Sequence, residues 1–206
     1  MPRVIVFDFG GTLDTHGRHW ARVLFERWQE VLSDLSWERF YEAYVAAERA
    51  MTTEENWDFR RTLQHKCRLE ADFMQRPDAP DQANGVAEAC YKLARECTAH
   101  SKDVLEALRK EGMPLVLVSN FYGNLTAVLR DFGLEGCFDH IVESARVGVR
   151  KPDSAIYRLV LDLYPALKPD DVLVAGDSER NDILPAQSLG MKTHLVRKFG
   201  DLLALV

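Results

Sequence analysis

The chain has 206 residues, of which 47% are hydrophobic and 28% charged, so it is long enough for one globular core or for a core with a smaller insert. Its net charge of −6 gives a nucleic-acid partner no electrostatic support, and no apolar run has the length of a membrane span. We therefore expect neither nucleic-acid nor membrane binding, in a protein that is a monomer or a homodimer.

The cysteines and the amino-terminal segment indicate the compartment. The chain enters a strand pattern at once, without the pattern of a signal peptide. The cysteines form neither a Cys-x-x-Cys motif nor a dense framework, so we expect reduced, mostly buried thiols in a cytoplasmic protein. They are Cys67, Cys90, Cys97 and Cys137.

The first half of the chain is one short strand followed by helices. Residues 3–7 are a strand pattern, and Ser36 is placed to cap the amino end of a helix. Apolar residues at three- and four-residue steps predict helices over 18–33, 36–51, 57–74 and 82–100.

After residue 100 strands and helices alternate, which predicts an α/β fold with a parallel sheet. We expect a core made of 1–14 plus 101–206 and a helical insert over 15–100. The predicted strands are 114–118, 138–142, 171–175 and 192–196, and the predicted helices are 101–112, 123–131, 153–163 and 181–189.

Polar side chains gather where these strands end. In a parallel sheet such residues converge on one edge, where Asp8 and Asp177 would offer Mg²⁺ its preferred oxygen ligands and Lys151 would offset their charge. Ser119 and nearby backbone N–H groups would hold the oxygens of an anion.

Taken in chain order, these segments resemble the four motifs of the haloacid dehalogenase superfamily. The segments are Asp8-Phe-Gly-Gly-Thr12-Leu, Ser119-Asn120, Lys151-Pro and Gly176-Asp177-Ser-Glu-Arg-Asn-Asp182. The resemblance spans the whole chain and implies a Rossmann-like parallel-sheet core with an inserted all-helical (C1-type) cap. It also implies an Mg²⁺-dependent hydrolase, phosphatase-like towards a small phosphorylated metabolite, acting through an aspartyl-phosphate intermediate.

The resemblance also implies roles for individual residues. Asp8 would be the nucleophile, Thr12 and Ser119 would bind and orient the transferring group, and Lys151 would steady its charge. Asn120 would belong to the same phosphate-binding set.

The implied metal site shares Asp8 with the nucleophile. Asp177 would ligate Mg²⁺, and Asp182 would be a further ligand or would hold a ligand in place. The backbone carbonyl of Gly10 would complete the set.

Position 10 departs from the pattern that the resemblance implies. Most phosphatases of the superfamily have a second Asp there, whose carboxylate protonates the leaving group and then activates water, whereas Gly10 has no side chain. We expect weak turnover or substrates with good leaving groups, unless Asp14, His16 or His19 substitutes. The alternative is that Asp14 shapes the hinge or caps a helix and that the histidines face solvent or pack.

Two other functions stay open at this point. One is a catalytically reduced protein that keeps a metal- and phosphate-binding site for regulation. The other is a dehalogenase-type carbon–halogen hydrolase. Tyr157 and Arg39 lie at positions that are similar to the pattern of the dehalogenases, but the segment around Asp177 has the metal-binding form, which disfavours this function. The cap lysines Lys66 and Lys92 do not lie early in the insert, as the Schiff-base lysine of phosphonate-cleaving members does.

Overall fold

The computed structural model describes residues 2–206, and its centre is a five-stranded sheet in which every pairing is parallel. The α/β fold expected from the sequence is therefore confirmed. The strand order is β3-β2-β1-β4-β5, which places the first strand in the middle of the sheet. The strands are β1 (Val4–Phe7), β2 (Leu115–Ser119), β3 (His140–Glu143), β4 (Val172–Gly176) and β5 (Lys192–Leu195).

Both faces of the sheet are buried, which explains why its strands are continuous apolar runs. Because successive side chains of a strand point to opposite faces, Ile5 and Phe7 join one hydrophobic cluster while Val4 and Val6 join another. The first cluster continues into the helical insert, so sheet and insert share a core.

The insert consists of helices that follow β1. Ser36 caps the second of them as predicted, since its side chain accepts a hydrogen bond from the Arg39 N–H. The helices are α1 (Trp20–Val31), α2 (Trp37–Ala50), α3 (Phe59–Met74) and α4 (Ala79–Lys110).

The fourth helix differs from the sequence-based expectation. Two helices were predicted over 82–100 and 101–112, but α4 is one continuous helix through the expected boundary between insert and core. No glycine or proline interrupts it there, and the Ser101 hydroxyl donates to the Leu13 carbonyl at 2.7 Å instead of capping a new helix. The division of the chain into 1–14 plus 101–206 and 15–100 stays a prediction.

The remaining helices lie among the later strands. A helix was predicted over 181–189, but the structure has a π-helical turn at Glu179–Ile183 followed by a short α-helix. The Ser178 hydroxyl accepts from the Asn181 N–H and the Asp182 carboxylate from the Ser178 N–H, so local polar contacts shape this turn. The helices are α5 (Leu125–Asp131), α6 (Ser144–Val147), α7 (Ala155–Leu163), α8 (Leu184–Gln187) and α9 (Phe199–Leu203).

Two further findings concern the cysteines and membrane spans. All four cysteines are unpaired and buried, as predicted. In the part of the chain that the structure describes, no helix is both long enough and apolar enough to cross a bilayer.

Candidate active site

The candidate site lies at the carboxyl edge of the three central strands. The strand registers pair Phe7 with Leu117 and with Ala175, so the carboxyl ends of β1, β2 and β4 lie side by side. Asp8, Ser119 and Asp177 are thereby brought together, although they are far apart in sequence. This is the edge on which the sequence predicted that they would converge.

Asp8 is held through both of its carboxylate oxygens. Its side chain is buried, with the Lys151 ammonium 2.5 Å from Oδ1 and the Thr12 hydroxyl 3.1 Å from Oδ2. Thr12 in turn accepts a hydrogen bond from the Asp177 N–H at 2.9 Å, so it connects the turn after β1 to the end of β4. The carboxylate is thus fixed in one orientation beside a cation.

The tight turn after Asp8 depends on glycine. Gly11 has a φ of 97°, a conformation that L side chains rarely adopt, and a Cβ there would lie 2.5 Å from the Asp177 carboxylate. A Cβ on Gly176 would likewise meet the Asp182 side chain at 2.4 Å. These two glycines let the backbone approach the carboxylates closely.

The carboxylates of Asp8, Asp177 and Asp182 form an acidic cluster in which one ligand atom from each lies within 4.8 Å of the others. Burial raises the pKa of Asp8 to about 8 and that of Asp177 to about 7, the neighbouring carboxylates add to both shifts, and the Lys151 charge opposes them. One buried ammonium does not balance three carboxylates. The donor set and its excess of negative charge therefore fit a divalent cation such as Mg²⁺.

Asp182 is the most heavily engaged member of this cluster. Its Oδ1 accepts from the Lys151 ammonium at 2.7 Å and lies 3.1 Å from the Tyr157 hydroxyl, while its Oδ2 accepts from the Ser178 N–H at 3.0 Å. These contacts favour one of the two roles expected for Asp182. It would position Lys151 and the metal ligands and would not itself bind the metal.

Two positioning contacts were not foreseen from the sequence. The side chain of Tyr157 is fully buried, and its hydroxyl reaches Asp182. Asn120, expected among the phosphate-binding residues, exchanges two 2.9 Å hydrogen bonds with the backbone of Lys151 and so holds that segment. The six-residue spacing from Lys151 to Tyr157 is visible in the sequence, but the contact of Tyr157 with Asp182 is not.

A cavity of about 870 Å³ opens onto these residues. Its floor includes Asp8, Ser119, Lys151 and Asp177, and its opposite wall comes from helices of the insert. Ser119 is buried, yet it lines the cavity, where its hydroxyl faces the place of a bound group. The cavity exceeds the volume of a phosphate ion, so it has room for a larger ester.

Comparison with known proteins identifies the family of the chain. The family model of haloacid dehalogenase-like hydrolases matches residues 2–190. The chain belongs to this family. Over the whole length, it is similar to a structure described as the putative HAD-hydrolase YfnB from Bacillus subtilis bound to magnesium, with a TM-score of 0.61, 18% identity and coverage of 99% of this chain and 98% of that one.

Curated relatives of this haloacid dehalogenase-like hydrolase match it over shorter segments. One is haloacid dehalogenase-like hydrolase domain-containing protein 3 of Mus musculus, 37% identical over 45% of this chain and 36% of the relative. Another is the phosphoserine phosphatase of Thermus thermophilus, 27% identical over 55% of this chain and 47% of the relative. The chain thus spans less than half the length of these relatives.

Asp14, His16 and His19 were the candidates to replace the carboxylate that is missing at position 10 of this haloacid dehalogenase-like hydrolase, and the structure places them differently. Asp14 accepts from the Gly11 N–H at 2.7 Å and from the Trp20 indole N–H at 2.8 Å, so it holds the turn, and burial raises its pKa to about 7. The Nε2 atom of His16 lies 3.0 Å from the Cys97 carbonyl, at the hinge to the insert. Neither residue is among those that line the cavity.

His19 does line the cavity, but its geometry does not suit a general base. Its Nδ1 accepts the Ala21 N–H at 3.2 Å and caps α1, which assigns the ring proton to Nε2. Partial burial and then the charge of Lys66 lower its pKa. His19 therefore offers the cavity a hydrogen-bond donor.

Arg39, whose position in the sequence is similar to that of an arginine in dehalogenases, does not line the cavity. Its guanidinium donates to the Met74 carbonyl at 2.7 Å and 3.0 Å and to the Gln75 carbonyl at 3.3 Å, so it caps the carboxyl end of α3. The position of Arg39 is thereby accounted for by a structural contact.

Proposed function

We propose that this protein is an Mg²⁺-dependent phosphatase that acts on a small phosphorylated metabolite. The observation that supports this most directly is the buried Asp8 carboxylate, held by Lys151 and Thr12 beside an acidic cluster and beneath a cavity larger than phosphate. A carboxylate fixed in this way is suited to in-line attack on a phosphoryl group.

In the proposed reaction an oxygen of Asp8 attacks phosphorus, and the bond from phosphorus to the ester oxygen breaks. Lys151 and the Ser119 hydroxyl bind the phosphoryl oxygens as negative charge moves from the Asp8 carboxylate to the departing ester oxygen. Water then attacks the phosphorus of the aspartyl phosphate, and the bond from phosphorus to the Asp8 oxygen breaks. Asp8 returns as a carboxylate, and inorganic phosphate leaves with the oxygen and the protons of the water. When bound beside Asp8 and Asp177, Mg²⁺ would neutralise charge on the phosphoryl oxygens.

Proton transfer limits this reaction in our proposal. Among the described residues that line the cavity, the carboxylates are the acidic cluster and Glu48, and Glu48 is paired with Lys66. No carboxylate is left free to protonate the leaving group, a contribution typically worth about 10²–10⁴-fold in rate. We therefore expect faster turnover of aryl and acyl phosphates than of alkyl esters.

A phosphatase screen tests the proposal. Wild type, Asp8→Asn and the control Asp103→Asn, an exposed position on α4, would be assayed with and without Mg²⁺ against many phosphate esters and against halogenated carboxylic acids. The proposal expects Mg²⁺-dependent phosphate release by wild type and the control, and loss in Asp8→Asn. If wild type is as inert as Asp8→Asn with every compound, the hydrolase assignment fails and binding without turnover, the second candidate, replaces it.

A further inference from the structure

The cap wall of the cavity contains a buried cation that the proposed reaction does not use. Lys66 on α3 lines the cavity and its side chain is only 7% exposed. It forms an ion pair with Glu48 on α2, and its ammonium lies 3.3 Å from the hydroxyl of Tyr122, which follows β2. All three residues line the same cavity as Asp8.

The donors around Glu48 have the geometry of a carboxylate-binding site. The Tyr122 hydroxyl lies 3.0 Å from each carboxylate oxygen of Glu48, and the Lys66 ammonium donates to one of them. Lys66 is further held over the ring of Tyr44, 4.4 Å from its centroid. An ammonium and a phenol hydroxyl thus converge on one carboxylate, and that carboxylate belongs to the chain itself.

Glu48 is the exchangeable member of this group. Its side chain is 29% exposed, near the end of α2, whereas Lys66 is buried and the Tyr122 backbone is anchored by the Thr53 hydroxyl at 3.0 Å. Leaving a buried lysine without an anion is costly, but a partly exposed ion pair contributes little net stability. Lys66 therefore requires a negative partner without requiring Glu48 in particular.

We propose that Lys66 and Tyr122 form a second anion-binding subsite, which takes the carboxylate of a phosphate-ester substrate in exchange for the Glu48 side chain. The inference rests on the proposed function and narrows its substrate class to phosphate esters that bear a carboxylate.

Charge at the mouth of the cavity agrees with this class of substrate. Arg49 and Arg150 line the cavity, from the cap and from the core respectively, and neither forms an ion pair with an acidic side chain among residues 2–206. Burial lowers the pKa of Lys66 to about 8, and the charge of the nearby Glu70 opposes this shift.

Matched pairs of esters test the subsite. Each pair differs by a carboxylate: phosphoglycolate against ethyl phosphate, and the terminal phosphates of glycerate against glycerol and of gluconate against sorbitol. The quantity compared is the ratio of kcat/KM within a pair. We expect Lys66→Met to lower this ratio by about tenfold or more for at least one pair, because a charge-assisted hydrogen bond is lost, and Glu48→Gln to raise it by about threefold or more.

The two variants are expected to change the kcat/KM ratio in opposite directions, and this distinguishes a subsite from an ordinary salt bridge. If the pair were only structural, both variants would impair the cap alike and neither would change the ratio, an outcome that overturns the proposal. Lys92→Met, an exposed cap lysine outside the cavity, serves as the control. Thermal unfolding checks each variant, and Glu48→Gln alone carries the test if Lys66→Met fails to fold.

Failure of the proposed function would look different. If no ester is hydrolysed, the same pairs are titrated calorimetrically into Asp8→Asn and into its double variants with Lys66→Met and Glu48→Gln. Affinity for the carboxylate-bearing member that falls in the first double variant and rises in the second supports the subsite without any turnover. Equal affinities across these proteins overturn it.

Discussion

Of the single positions in the site, position 10 is the one where we expect a substitution to change the rate of the reaction most. A Cβ at this position would lie 3.6 Å from Cδ1 and 3.8 Å from Nε1 of Trp20, which is ordinary van der Waals contact. Trp20 is itself held by the hydrogen bond from its indole N–H to Asp14. A small side chain can therefore be added at position 10 without displacing the backbone, and it would begin at the edge of the cavity.

Gly10→Asp should raise phosphatase activity, because the new carboxylate can protonate the leaving group and then activate water. We expect about a 10²-fold gain in kcat for an alkyl phosphate, the lower end of what general acid–base catalysis supplies. The gain should be smaller for p-nitrophenyl phosphate, whose leaving group needs no proton. Steady-state kinetics with both esters measure this difference.

Gly10→Asn is the matched control, since it adds the same volume without a proton to transfer. Equal rates in the Asp and Asn variants would contradict the prediction and would mean that proton transfer has another source. The two substitutions also show whether contact with Trp20 alone disturbs the site, because that effect would be common to both.

At the scale of elements, the packing of the helices between β1 and β2 depends on a buried carboxyl group. Glu70 on α3 is fully buried, and its Oε2 accepts the Trp28 indole N–H of α1 at 2.8 Å. No partner within residues 2–206 reaches its other oxygen. Burial raises the pKa of Glu70 to about 7, although the Lys66 charge and the hydrogen bond from Trp28 oppose the shift.

This pKa shift gives the cap a pH-dependent stability with a defined sign. The folded protein keeps the Glu70 proton up to about pH 7, whereas the unfolded chain releases it near its ordinary pKa of 4.5. Its stabilising contribution is therefore present at low pH and is lost as the pH rises through about 7. Glu70→Gln removes the titration and should flatten this part of the profile.

Urea unfolding of wild type, Glu70→Gln and the exposed control Glu42→Gln at about pH 5 and about pH 8 measures the effect. The free energy of unfolding of wild type relative to Glu70→Gln should be lower at the higher pH. A constant difference between the two proteins would show that Glu70 does not titrate in this window.

Elements were predictable from the sequence where local pattern and packing agree. The strands and the first three cap helices lie within a few residues of their predicted bounds, because apolar periodicity decides them. The continuity of α4 and the π-helical turn after β4 were not predictable. In α4, Ser101 contacts Leu13, a residue far away in the sequence, and this approach depends on the completed fold. The turn after β4 is shaped by local contacts of Ser178 with Asn181 and Asp182, which hydrophobic periodicity does not record.

At the scale of the whole molecule, the sheet order assembles the candidate site. Asp8, Ser119 and Asp177 were found from the sequence because each lies at the carboxyl end of a strand or directly after it, and parallel strands end at one edge. Lys151 was found in the connection after β3. The partners that hold them could not be predicted in the same way. Tyr157 and Asn120 act through the register between elements, which no single-segment pattern records.

The concentration of carboxylates at this edge predicts that a metal ion stabilises the whole protein. Without a cation, Asp177 is held beside two other buried carboxylates, and its raised pKa of about 7 reflects burial first and the Asp182 charge second. Asp177→Asn removes one of these charges. It should therefore raise the melting temperature in the absence of metal, since like charges are relieved, and abolish the further rise that Mg²⁺ produces in wild type.

At an Mg²⁺ concentration about 100 times the dissociation constant, binding stabilises the folded state by about 2.7 kcal/mol, which corresponds to about 5–10 °C in melting temperature for a chain of this size. Calorimetric scans of wild type, Asp177→Asn and Asp103→Asn with and without Mg²⁺ measure this directly, independently of any substrate. The control should respond as wild type does. A wild-type melting temperature that does not move with Mg²⁺ would mean that Lys151 alone balances the cluster, and the metal would then have to be removed from the proposed function.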